Sequence, residues 1–235
     1  MVSKLKRKTD YNEIIYDRNQ WTLISKYRMN GKKILCALIK SKLTPSIYGS
    51  VARGDVTKNS DIDIIIPEVF SSFQIESSLE RLDIPIQNRY IIQATPSHAI
   101  KAYIELNSVT TISFPLTRLY NVEREFYKFG GEITLEQINS NKRVHGVDKR
   151  LILIEPTKTG HIERGIVGIE DYVAKNIGIS TQTVLNRVNI LQKREETGKT
   201  GVFIKKIVPT DLTFELVLKK LADKNPAVRR RLKNI

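Results

Sequence analysis

The sequence predicts an α+β or α/β layer of sheet and helices, not a helix bundle, followed by a smaller helical part. Three observations predict it. Amphipathic stretches of helix length alternate with apolar runs of four to eight residues, as a layered sheet-and-helix domain requires. Gly, Pro, Asn and Ser punctuate those runs where turns are needed. The 235 residues suffice to bury a core without disulfides or a structural metal. The expected organisation is a first domain over residues 1–119, a connector or entry segment over 120–168, and a second domain over 169–235.

Along the first domain, Leu23, Ile24, Tyr27, Ile34, Leu35, Leu38 and Ile39 lie between lysines at helical spacing, predicting an amphipathic helix over 21–43, with a break at Gly31 and a stop at Pro45. Residues 46–48 and 62–66 read as strands, the second closed by Pro67. Phe73, Ile75, Leu79 and Leu82 predict a helix over 71–82 with serine at its start. Strands follow at 90–94 and 101–106, and the latter turns through Asn107-Ser108 into 110–114 as a hairpin. In the connector, a short helix is expected over 122–129, then a Gly130-Gly131 break, then strands at 150–155 and 161–167. A basic helix is expected over 219–235.

Lys and Arg outnumber Asp and Glu by 39 to 25, a formal charge of +14, which makes polyanions the natural partners. Cys36 excludes an intrachain disulfide framework, reads as a small core residue, and suits a reducing cytoplasm. No apolar stretch has membrane-spanning length, so no membrane partner is expected. His98, His145 and His161 lack metal-ligand spacing.

The chemistry concentrates in "YGSVARGDVTKNSDIDIII". On a strand, Asp61 and Asp63 point to one face while Ile62, Ile64 and Ile66 point to the other. Adjacent carboxylates repel unless a cation lies between them, and a hard divalent ion such as Mg²⁺ relieves that cost while keeping positions open for water and phosphate. Gly49-Ser50 offers a turn with close backbone approach and a hydroxyl.

Gly49-Ser50, followed after ten residues by Asp61-Ile62-Asp63, resembles the signature of the nucleotidyltransferase superfamily that includes DNA polymerase beta. The intervening "VARGDVTKNS" is similar to small prokaryotic members. The resemblance implies a mixed sheet flanked by helices, Mg²⁺ held by Asp61 and Asp63, and NTP phosphates held by Gly49 and Ser50, with Arg53 and Ser60 as further nucleotide-binding positions. It also implies a third carboxylate from a neighbouring strand, for which Glu105 in "KAYIEL" is the candidate. The expected reaction moves an NMP from an NTP, ATP first among them, to a hydroxyl on a nucleic acid, a small molecule or a partner protein, releasing pyrophosphate.

A second pattern is "VAKNIGISTQTVLNRVNIL", where Gly178 fits a tight turn and Ser180 caps the helix that follows. It resembles a winged helix-turn-helix, with "REETGKTGVFIKKIV" as the wing. That resemblance implies DNA contacts by Thr181, Gln182, Thr183, Asn186 and Arg187, and by Lys199 and Lys205 of the wing. The rival use of such a hairpin is packing or self-association into a homo-oligomer. The rival function is a DNA-binding regulator whose nucleotidyltransferase fold senses a nucleotide without transferring it.

Overall fold

The computed structural model describes residues 11–198 and 201–233. In chain order, β1 (Asn12–Ile15) leads into α1 (Arg18–Lys40), β2 (Ser46–Tyr48), the one-turn α2 (Ser50–Arg53) and β3 (Ile62–Ile65). Next come α3 (Ser72–Glu80), β4 (Asn88–Gln93), β5 (Ile100–Asn107) and β6 (Thr110–Pro115). Then follow α4 (Asn121–Phe129), β7 (Glu132–Ile133), α5 (Leu135–Asn139), β8 (Gly146–Val147), β9 (Ile152–Pro156) and β10 (Gly160–Gly165). Helices α6 (Glu170–Ile177) and α7 (Thr181–Thr197), strand β11 (Ile204–Ile207), and helices α8 (Phe214–Lys224) and α9 (Pro226–Lys233) complete the chain. None of the helices among the described residues is long and apolar enough to cross a membrane.

The chain forms two interleaved units. One comprises Met1–Asn30, Ile47–Ser60 and Arg124–Thr200, the other Gly31–Ser46, Asp61–Glu123 and Gly201–Ile235. In the second unit the strands run in the order β11-β4-β5-β6-β3. The pair β3–β6 is parallel and the others antiparallel, so the sheet is mixed. Strand β5 alternates buried Ile100, Ala102, Ile104 and Leu106 with half-exposed Lys101, Tyr103 and Glu105, the period of a sheet with one face in the core. Helix α8 covers that core through Phe214, whose ring meets Phe114 edge-on at 5.4 Å. Glu215 ties α8 to the start of α3, accepting from the Ser72 N–H (2.8 Å) and hydroxyl (2.7 Å). Helix α1 passes through Gly31 without a break, because the ~1 kcal/mol helix cost of glycine is outweighed by burial of Leu35 and Leu38 just beyond it.

In the first unit, β1, β10, β9 and β8 form an antiparallel sheet in that order, and β2 pairs with β7. Its core joins Phe129, Val147, Leu151, Leu153 and Ile166 to Val173, Ala174, Val184 and Val188 of α6 and α7. Helices α6 and α7 are joined by a tight turn in which Gly178 takes φ 73° and the Ser180 side chain accepts from the Thr183 N–H. The expected wing is not formed as a hairpin. Helix α7 runs on to Thr197, because "LQKREET" contains no helix breaker before Gly198. Ile204–Ile207 then pairs with β4, Lys205 facing Ile92, and completes the edge of the other unit's sheet. The basic C-terminal helix is two helices, divided at Asn225-Pro226.

Candidate active site

The Gly49-Ser50 turn of the first unit is built on Gly49, at φ 86° and ψ −150°, a combination open only to glycine. Its N–H donates to the Gly131 carbonyl (2.8 Å), and its carbonyl accepts from the Ala52 and Arg53 N–H groups (3.1 Å each). The Ser50 hydroxyl donates to the Ser60 hydroxyl (3.2 Å), which accepts in turn from the Thr57 N–H (2.9 Å). Ser50 and Ser60 are thus brought together.

Arg53 is placed differently from its expected contact with phosphate. It is 5% exposed, donates to both oxygens of Asp55 (3.0 and 2.9 Å), and reaches the Gly130 carbonyl (2.5 Å). Its donors hold the loop together and face the protein. Arg28, absent from the sequence reading, has a similar task. Its guanidinium donates to the Val51 (3.2 Å), Ala52 (3.0 Å) and Lys142 (2.7 Å) carbonyls, satisfying the C-terminal carbonyls of α2. Burial and then the nearby Arg143 charge lower its pKa to about 10, which leaves it charged at neutral pH. A lone arginine on an amphipathic helix gives no local sign of such a partner set.

The carboxylates belong to the second unit. Ile62 and Ile64 are 1% and 0% exposed, whereas Asp63 on β3 is half-buried and Asp61, immediately before the strand and two residues from it, is exposed. The parallel register sets Asp63 beside Thr111, and the antiparallel register sets Thr111 beside Glu105 and Glu105 beside Asn88. Glu105 therefore lies on the same row and face as Asp63, with Thr111 between them. Its carboxylate accepts from the Asn88 side-chain amide (2.8 Å). Among the described residues, no three His, Cys, Asp or Glu side chains gather at metal-holding distance. Two oxygen-donor carboxylates two residues apart do suit a hard divalent cation with the remaining positions open to water and phosphate. Thr111 is the residue that sequence reasoning missed: pairing of β6 with both β3 and β5 is a long-range feature.

The residues expected to meet DNA are not presented as one surface. Thr183 is 2% exposed and its hydroxyl bonds the Glu125 carboxylate. Arg187 lies over the rings of Phe126 (4.8 Å) and Phe129 (5.9 Å). Burial, then Arg194, lowers its pKa to about 10. Thr181 donates to Asp171 (2.7 Å), and Gln182 donates to Asn186 (2.9 Å), both on the exposed side. Lys205 sits in the other unit, over Tyr90. Lys199 lies outside the described residues.

A model of the nucleotidyltransferase domain family matches residues 28–116. The matched segment contains Gly49, Ser50, Arg53, Ser60, Asp61, Asp63 and Glu105, and ends before α4. Together with the mixed sheet and its flanking helices, the match supports a nucleotidyltransferase domain, and with it general transfer of an NMP from an NTP. Comparison with curated proteins found no match, and neither did comparison with solved structures.

Proposed function

We propose that the chain transfers a nucleoside monophosphate, from ATP in the first instance, to a hydroxyl acceptor. The acceptor oxygen forms a bond to the α-phosphorus, the bond from that phosphorus to the leaving phosphate oxygen breaks, and pyrophosphate departs. The observation that carries this reading is the carboxylate pair of Asp61 and Asp63 at a strand whose isoleucines are buried, inside the segment matched by the family. Asp61 and Asp63 hold Mg²⁺, which when bound neutralises phosphate charge and lowers the pKa of the attacking hydroxyl. Gly49 and Ser50 contribute the turn and the hydroxyl that receive the phosphates, with Ser60 fixing the Ser50 hydroxyl.

Incubation with α-phosphate-labelled ATP, Mg²⁺ and cell extract tests this, the expected result being label in a macromolecule or small acceptor that is absent with Asp61→Asn. A second reading, nucleotide sensing without transfer, is favoured by one observation: a threonine, not a carboxylate, stands beside Asp63 on β6. Tight Mg²⁺-ATP binding with no labelled acceptor from any extract supports sensing over transfer.

A further inference from the structure

A cleft of about 540 Å³ opens in the first unit, lined from α4, β7, α5, the segment before β8, and the end of α6. Its walls carry Arg124, Lys128, Lys142, Arg143 and His145, against the single carboxylate of Glu132. Arg124 neutralises that carboxylate through a two-bond pair, at 2.5 and 2.9 Å. Lys128, Lys142 and Arg143 add positive charge that no further carboxylate lining the cleft offsets, although Lys128 also lies near Glu125 of the same helix.

Two kinds of cation make up this set. Arg143 is fixed: it donates to the Gly160 (2.8 Å) and Thr157 carbonyls and stacks 4.8 Å from the Trp21 ring centroid. Its charge is stationary but most of its donors are spent. Lys128 and Lys142 are exposed at the rim, where an ammonium acts as a hydrated point charge with three rotatable donors. Asn176 adds an amide from α6. Among the described residues that line the cleft there is no Phe, Tyr or Trp on which a base could stack.

We propose that this cleft binds the phosphate backbone of a nucleic acid strand, without reading its sequence. Rim lysines around a fixed guanidinium match a chain of phosphates, and phosphate contacts of this kind position a strand without specifying its sequence. The +14 charge of the chain supports the same partner. On α7, by contrast, Thr183 and Arg187 are turned into the protein.

The test is fluorescence anisotropy of the full chain with a labelled single-stranded RNA of about 20 nucleotides, over about 50 to 200 mM salt. Lys128→Ala with Lys142→Ala is expected to weaken binding about tenfold or more and to reduce the slope of log affinity against log salt by about 1.4, two phosphate contacts' worth. Asn176→Glu, which adds a carboxylate to the same wall, is expected to weaken binding in the same direction. A strand of unrelated sequence is expected to compete equally. Asp61→Asn is expected to keep RNA binding while losing transfer, so that failure of the transfer reading and failure of this one are told apart. Unchanged affinity and slope in the lysine double variant would overturn the proposal, and so would displacement of the RNA by polyglutamate at equal charge concentration.

Discussion

The Gly49 turn and the Asp63 strand belong to one sequence signature, yet the protein secures them by different means. The turn is clamped from a distance: Arg28, Arg53 and the Gly131 carbonyl reach it from α1, from within the loop and from the β7 entry. The carboxylates are placed by β-sheet register, which sets Asp63 in a row with Thr111 and Glu105, and the Asn88 amide holds Glu105. A turn has few backbone partners of its own and must borrow donors from elsewhere, whereas a strand inherits its orientation from its neighbours.

Replacing Arg28 strikes the clamp hardest. Arg28→Met keeps much of the volume but strips donors from three buried or part-buried carbonyls. A loss of about 3 kcal/mol is expected in urea unfolding, since bonds from a charged donor contribute ~1.5–3 kcal/mol each, while the Ala52 carbonyl keeps the Val144 N–H. Full retention of stability would mean that the turn holds itself.

Gly49→Ala separates backbone from packing. A Cβ at Gly49 meets nothing within 4 Å, so the whole cost comes from forcing φ 86° on an L-residue. About 1–3 kcal/mol is expected by the same measurement. By contrast, a Cβ at Gly131 would lie 2.7 Å from Arg53 Cγ and 3.2 Å from the His145 carbonyl, adding crowding to strain.

Much of this contrast between turn and strand was legible in the sequence on one side only. The alternation of Asp61 and Asp63 with isoleucines is a local pattern, and the structure keeps those isoleucines buried. The strands at 46–48, 62–66 and 110–114, and the helices around Gly178, were legible for the same reason: their periodicity is carried within a few residues. What could not be read was long-range. Nothing near Arg53 announces that one of its donors goes to Gly130, and nothing near Thr111 announces that it separates Asp63 from Glu105. The glycines around segment 204–207 signal a hairpin locally, while the open edge of β4 that it completes is more than a hundred residues away in sequence.

On the strand side, Glu105→Gln sharpens the comparison by asking how far the row extends. With Thr111 intervening and Asn88 holding the carboxylate, transfer activity is expected to fall less than about tenfold, or ~1.4 kcal/mol in transition-state terms. A loss as large as that of Asp63→Asn would make Glu105 the third metal ligand after all.

The smallest effect is expected from acid. Burial alone would raise the Glu215 carboxyl, but the bonds from the Ser72 N–H and hydroxyl outweigh it and hold its pKa below the ordinary 4.5. A depressed folded-state pKa contributes stability that is present above that ordinary value and is lost as pH falls through the folded one. Glu215→Gln is therefore expected to flatten the acid limb of the stability profile slightly, as followed by thermal melts between about pH 5 and pH 2. An unchanged limb would mean that the helix α8 tie to α3 makes no net contribution.

Calorimetric titration of Mg²⁺-ATP into the wild-type chain and into the Asp61→Asn, Asp63→Asn double variant tests the site most directly. The carboxylate pair as metal holder predicts saturable binding by the wild type that disappears without Mg²⁺ and is lost in the double variant, whose fold and melting temperature are retained. Equal Mg²⁺-ATP binding by the two chains would contradict it.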